Sequence, residues 1–167
     1  MAEQIQNINL NINTRKKFSI DGNPNKIIEL DVTDISIIDR YKESVEKMQG
    51  LAENYERMGT IANELKTATD SDEIDTDTTY GKISEFTDEM KKLERKMRDI
   101  IDFIFDSPIS DTILENTSAF SPVNGKCYKY EQILEVLSNL YTKSISFDIQ
   151  KINKSNVRKH TAKYIKR

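Results

Sequence analysis

Side chains able to do covalent or metal chemistry are sparse in this sequence. It has one histidine, His160, and one cysteine, Cys127. A cysteine nucleophile needs a base within hydrogen-bond reach, yet these two lie in differently composed segments, so a Cys/His pair would be coincidence. His160 stands among Arg158, Lys159 and Lys163, cations that disfavour its protonation, and with no nucleophile nearby it reads as a surface residue. Cys127 reads as apolar filler; a single cysteine excludes an internal disulfide and suits a reducing compartment. The five glycines are scattered singly, so there is no loop to cradle a phosphate. Asp70, Asp72, Asp75 and Asp77 alternate in a way that suggests a calcium loop. Such a loop needs a central glycine at its sixth position and a bidentate glutamate at its twelfth; counted from Asp70, those positions are Asp75 and Gly81. Elsewhere the carboxylates alternate with Lys and Arg, as solvated helix faces do. The sequence predicts no catalysis, no cofactor and no metal site.

Charge is more informative. From Lys151 onward there are seven cations (Lys151, Lys154, Arg158, Lys159, Lys163, Lys166, Arg167) and no acid, which leaves 18 basic against 28 acidic residues before them. The body therefore carries −10 and the tail +7. A tail so polarised can dock on its own body, on a neighbouring copy or on an anionic partner. Nucleic acid is one such partner, but the tail has one aromatic residue, Tyr164, and no recognition motif, and the body is acidic. A protein partner is favoured.

The elements that would carry these charges are mostly helices. Ile83, Phe86, Met90, Leu93, Met97, Ile100 and Ile104 step by three and four, with charged residues between them. That spacing predicts an amphipathic helix over Lys82–Phe105 seeking a partner helix, within the chain or between chains. Thr33 or Asp34 is placed to cap an earlier helix, whose apolar face is expected to run Ile35, Ile38, Tyr41, Val45, Met48 and on through Ala52, Tyr55, Ala62 and Leu65. Gly50 and Gly59 interrupt that helix, and a break at Gly50 would make two helices of it. The acidic run from Thr69 to Gly81 reads as the loop joining the two, and its length permits an antiparallel helical hairpin. Ser107-Pro108 ends the second helix, and Ile109–Lys126 reads as irregular, with turns at Pro122 and Asn124-Gly125. Tyr130–Ser144 is a further helix with Ile133, Leu134, Leu137, Leu140 and Tyr141 on one face, and the basic tail continues it. Ahead of the helices, Lys17–Ile20 and Lys26–Asp31 alternate around the turn formers of Asp21–Asn25, a hairpin pattern. Ile5, Ile8, Leu10 and Ile12 alternate well enough for an edge strand.

The expectation is one mainly helical domain over residues 1–167. A strand and hairpin segment (1–32) precedes a helical body (33–150) built as an antiparallel hairpin or bundle, and a basic helical tail (151–167) closes the chain. At 37% hydrophobic and 32% charged residues with no Trp, the composition suits helices that each bury one stripe. No apolar run approaches the ~18 residues of a membrane helix, and the first residues lack a secretory pattern, so the expectation is a soluble cytoplasmic protein.

Arg15–Asn23, Lys26–Asp34 with its continuation to Arg40, Ile100–Asp106, Ser121–Gly125 and Tyr128–Glu135 resemble small proteins of the tail gene clusters of long-tailed bacteriophages and prophages. The basic C-terminus resembles them too. The group is similar to tail assembly chaperones, helical proteins that coat the tape-measure protein and recruit tail-tube subunits before leaving the finished tail. The resemblance implies a non-enzymatic homo-oligomer in the cytoplasm of a bacterial host, with tape-measure and tail-tube proteins as partners. Ile83, Phe86, Met90, Leu93 and Met97 would serve helix packing, and Arg158, Lys159, Lys163 and Lys166 electrostatic contact with a partner or neighbouring copy. The alternatives are a permanent tail or baseplate component and, against the charge argument, a nucleic-acid-binding protein that uses its tail.

Overall fold

The computed structural model describes residues 12–69 and 76–164, with side chains over 12–68 and 76–151. The described residues are mainly helical, so the fold is decided by which helix faces meet. It opens on an antiparallel hairpin, β1 (Lys16–Ile20) with β2 (Asn23–Leu30), in which Phe18 lies opposite Ile28. The turn is tighter than the Asp21–Asn25 pattern predicts. Asp21 and Gly22 both take positive φ, 51° and 69°, the primed turn whose twist matches paired strands, and the second strand resumes at Asn23. Ile28 and Leu30 are buried, and Phe18 and Ile20 pack beside them. A lone hairpin is marginal in water; this one is anchored where the Ser107 hydroxyl donates to the Glu29 carbonyl at 2.7 Å. Ile5, Ile8 and Leu10 of the expected edge strand lie outside the described residues, and Ile12 is exposed.

Helix α1 (Ile37–Gln49) starts later than Thr33 or Asp34 would place it. Asp31 and Asp34 accept the backbone N–H groups of Thr33 and Ser36, closing two turns that precede the helix. At Gly50 the helix breaks. Leu51 N–H bonds the Met48 carbonyl at 3.0 Å, a tightened last turn that buries Leu51 and re-aims the chain into α2 (Ala52–Thr69). Gly59 lies inside α2 without interrupting it.

Helix α3 (Thr76–Phe105) begins six residues before Lys82, so Thr76–Gly81 is helical rather than loop, with Asp77 in the first turn where a helix N-terminus favours an anion. It runs antiparallel to α2, since Asn54 meets Glu89, Arg57 meets Glu85 and Glu64 meets Lys82. In the seam α2 contributes Asn54, Met58, Ile61, Leu65 and Ala68, which continue from Leu51 just ahead of it, all buried or half-buried at steps of three and four. The expected continuation through Ala52 and Ala62 is exposed instead. Asp106, φ 47°, ends α3: its N–H bonds the Phe103 carbonyl and the Ser107 N–H the Asp102 carbonyl, the Schellman arrangement, with Pro108 just beyond. Two remaining carbonyls are capped from elsewhere. Arg40 Nε donates to the Ile104 carbonyl at 2.9 Å, and Arg15 Nη2 to the Asp106 carbonyl at 3.0 Å.

The segment expected to be irregular holds α4 (Ser110–Leu114) and a two-residue strand pair, β3 (Pro122–Val123) with β4 (Cys127–Tyr128). Asn124-Gly125 makes the turn between these strands with both φ positive. Elements of two to five residues are too short to show a period in sequence. Helix α5 (Lys129–Tyr164) is continuous and buries Leu134, Leu137 and Tyr141, with Ile133 and Leu140 packed beside them. One buried cluster joins β2, α1, Leu51 and the C-terminal half of α3 to α4, Ala119 and the first half of α5.

Candidate docking surface

Within α1 the inward face mixes apolar Ile37 and Met48 with polar Arg40 and Ser44, and an apolar row is left on the outside. Ile37 and Ser44 are buried and Arg40 and Met48 half-buried, positions that share one side of a helix at 100° per residue. Arg40 lies there because its guanidinium bonds both the end of α3 and the Asp34 carboxylate, the latter at 2.9 Å. The hydroxyl of Ser44 donates to the Tyr41 carbonyl at 2.6 Å, so neither polar group is left unpaired. The face expected to be core is turned out as a consequence: Ile35 is 66% exposed, Ile38 53%, Tyr41 41% and Val45 43%. Only Met48 of that row packs inward.

Between α1 and α5 lies a groove of about 490 Å³ lined by Ile37, Ile38, Tyr41, Tyr141, Thr142 and Ile145 among others. Tyr141 forms its floor, 2% exposed, with its ring 5.7 Å from that of Phe105. Burial, helped by the Asp31 and Asp34 carboxylates and opposed by Arg40 and Arg15, pushes the Tyr141 phenol up to about 12. Farther along α5, Phe147 and Ile149 are 66% and 52% exposed. At 100° per residue Ile149 shares the groove side of α5 and Phe147 faces away from it, so the exposed apolar patch runs from α1 across the groove to Ile149, the kind of patch that marks a protein interface.

The sequence-derived contact residues divide differently. Leu93 and Met97 are buried in the chain's own core, Phe86 and Met90 are half-buried and Ile83 is 46% exposed. From Leu93 onward the stripe is intramolecular, because the hairpin, α1, α4 and α5 all gather on that half of α3. Arg158, Lys159 and Lys163 occupy the last turns of α5, and Lys166 lies outside the described residues. The two groups do not converge. The start of α5 is tied to Ala119 and Ser121, and Ala119 to Glu94, while Tyr141 reaches Phe105. Helix α5 therefore runs in the same sense as α3 and leaves at the end opposite Ile83. Cys127 and His160 are separated by nearly the whole of this helix, ~45 Å at 1.5 Å per residue, so they cannot share a site within one chain.

A second, polar cleft of about 650 Å³ runs beside Glu94 and Arg98. There the Glu94 carboxylate accepts from Ala119 N–H, Ser118 and Arg98, and Arg98 also donates to Asp111 and the Thr117 carbonyl. These groups fasten the 110–120 segment to α3. In the α2–α3 seam, Glu89 is 3% exposed and held by Lys92 and Asn54 at 2.9 and 3.2 Å, with Arg57 nearby. The Lys92 hydrogen bond leads the interactions that hold its carboxyl below the usual glutamate range. A polar residue at a seam position fixes the register of paired helices. Among the described residues no group of three or more His, Cys, Asp or Glu is placed to hold a metal ion, and no helix is long and apolar enough to cross a membrane. Of the alternating row Asp70, Asp72, Asp75 and Asp77, Asp77 alone is among the described residues, in α3.

Sequence reasoning missed Ile35, Ile38, Tyr41 and Val45 as surface. The signal was the competing phase, Ile37, Met48 and Leu51, which runs directly into the α2 row. Comparison with known proteins adds no assignment: no family model, no curated protein and no solved structure matches the chain.

Proposed function

We propose that this chain acts by docking protein rather than by catalysis, as a tail assembly chaperone of a long-tailed bacteriophage or prophage. It binds tape-measure and tail-tube proteins during tail morphogenesis in the host cytoplasm. The observation that carries the docking reading is the outward apolar row Ile38, Tyr41 and Val45 of α1, with Ile35 in the turn before it, on a helix whose inner face is held by Ile37, Arg40 and Met48. A helix whose inner face is already fixed to the core and which still keeps an apolar row outward is arranged for an amphipathic partner. The tail-assembly assignment is supported by the resemblance of the hairpin, the end of α3 and the start of α5 to that group.

The test is co-expression with the tape-measure protein of the same gene cluster. The expected result is a soluble complex that co-purifies and is lost with Ile38→Glu, a change at an exposed site that leaves the fold intact. Failure to solubilise the tape-measure protein, with this chain found in mature particles, would assign it a permanent structural role. Binding to nucleic acid that weakens steeply with salt would instead assign the tail to phosphates.

A further inference from the structure

We propose that the groove between α1 and α5 binds a fatty acid, its chain laid along the apolar walls and its carboxylate beside Lys42. The proposal stands on the groove itself and goes beyond the docking reading above, which concerns a protein partner on the same side of the molecule.

The groove has the size and the lining of a small-molecule site. Its volume of about 490 Å³ lies within the roughly 300–1,000 Å³ usual for such sites. Ile37, Ile38, Tyr41 and Ile145 give it apolar walls, and the α5 wall from Ser138 to Ser146 extends ~12 Å at 1.5 Å per residue. An unbranched chain suits a trough of this shape, because it follows the wall without needing a closed cavity. Two hydroxyls of the lining are left over. Those of Ser138 and Tyr141 are shielded from water and have no hydrogen-bond partner among the described residues, and Tyr141 as a whole is 2% exposed. Buried polar groups are normally paired, since an unmade hydrogen bond leaves the desolvation of the group uncompensated. The Tyr141 phenol, raised to about 12, keeps its proton at neutral pH and remains a donor. Both hydroxyls therefore call for an acceptor.

Charge selects the head group. Lys42 is the one charged residue of the lining among the described residues. Its contact with Asp39 is long, 3.8 Å, between side chains 75% and 86% exposed, so solvent screens it and the ammonium is held weakly. A carboxylate accepts without donating, and its two oxygens offer about four lone-pair sites. It can thus take the Lys42 ammonium and a lining hydroxyl together. A cationic head would meet Lys42 with like charge, and a plain hydrocarbon would leave the hydroxyls unpaired.

The test uses the purified full chain, with sodium dodecanoate and dodecyltrimethylammonium as probes, each below its micelle threshold. Calorimetric titration is expected to show dodecanoate saturating one site per chain, and the cation of equal chain length binding at least about fivefold more weakly. Lys42→Gln should weaken dodecanoate about two- to fivefold without weakening the cationic probe. Because their hydroxyls are unpartnered in the free chain, Ser138→Ala and Tyr141→Phe should not lower the urea midpoint at neutral pH, yet at least one should weaken dodecanoate about tenfold. Thr142→Trp, at an exposed position of the wall, should fill the groove and abolish binding of both probes with unchanged far-UV circular dichroism. An absence of saturable binding, equal affinity for the two probes, or dodecanoate binding indifferent to Lys42→Gln, to Thr142→Trp or to both hydroxyl variants would overturn the proposal. Tape-measure capture is scored separately. Lost dodecanoate binding with capture intact removes this proposal alone, and absent capture with dodecanoate bound removes the docking reading alone.

Discussion

Ile83 and Ile104 are the same residue type on the same face of the same helix, twenty-one positions apart in phase with one repeat, and they should respond very differently to truncation. Ile104 is fully buried, whereas Ile83 is 46% exposed. Ile→Ala removes three carbons, worth ~0.8 kcal/mol each in transfer from water, or ~2.4 kcal/mol at a fully buried site. A residual cavity in the buried cluster raises the cost at Ile104 to roughly 3–4 kcal/mol. At Ile83 about half the transfer applies, ~1.2 kcal/mol, and the better helix propensity of Ala returns ~0.4 kcal/mol. The net is below about 1 kcal/mol with little cavity to add. For a chain of this size each kcal/mol moves the melting midpoint by ~2–4 °C. Ile104→Ala should therefore lower it by roughly 6–16 °C and Ile83→Ala by at most ~4 °C. Thermal circular dichroism with urea titrations at matched concentration measures both. Equal losses, or a larger loss at Ile83, would refute the division of α3 into a core half and an α2-facing half.

Arg40→Gln leaves the Ile104 carbonyl and the Asp34 carboxylate without their shared donor, and should cost roughly 1–3 kcal/mol by urea denaturation. Gly22→Ala and Gly59→Ala should have opposite signs, although nothing lies within 4 Å of an added Cβ at either. At Gly22, φ +69° penalises the new side chain by ~1–2 kcal/mol, while in the interior of α2 alanine gains ~0.5–1 kcal/mol. Acid should destabilise the fold. At Asp31 burial pushes the pKa up, but hydrogen bonds from Thr14 and Thr33 outweigh it; at Asp34 burial is outweighed by the Ser36 N–H and Arg40; Glu89 is lowered chiefly by Lys92. All three sit below their ordinary 3.8 or 4.5, so their stabilisation is complete well above those values and is lost as pH falls through the folded pKa values. The urea midpoint should drop from pH 6 to pH 3, and Asp34→Asn should flatten that dependence. Tyr141, raised to about 12, contributes stability below pH 10 that is lost on going to 12, and Tyr141→Phe should remove that part of the alkaline transition.

What the sequence made legible follows from repetition. Helix α3 ends at Phe105 as its apolar steps require, α5 buries Leu134, Leu137 and Tyr141 as their spacing requires, and the hairpin forms where Asp21-Gly22 separates two alternating runs. Each of these signals extends over several residues of one kind. Helix α1 was not legible, because two phases compete and the more hydrophobic one loses. Arg40 wins the inward position through its bond to a carbonyl sixty-four residues away, a gain no local period can register. The start of α3 was obscured because Thr76–Gly81 closes the acidic run from Thr69, whose composition resembles a loop, although Asp77 suits the first turn of a helix. On the candidate surface, Ile38, Tyr41 and Val45 were visible as a stripe but assigned to the wrong side of the helix. The groove depends on how α1 and α5 approach, which only the assembled core determines.

The capping of α3 by Arg15 and Arg40 has a consequence for synthesis. The carbonyls they cover belong to Asp106 and Ile104, so the hairpin and α1 leave the ribosome long before their counterpart exists. At ~5–20 residues per second, the gap between Arg15 and Asp106 is a wait of roughly 5–18 seconds. During it Ile28, Leu30 and Ile37 have no α3 to cover them. A nascent chain stalled before Phe105 should be cut readily by protease and bound by chaperones, and protection should arrive abruptly once the end of α3 clears the exit tunnel.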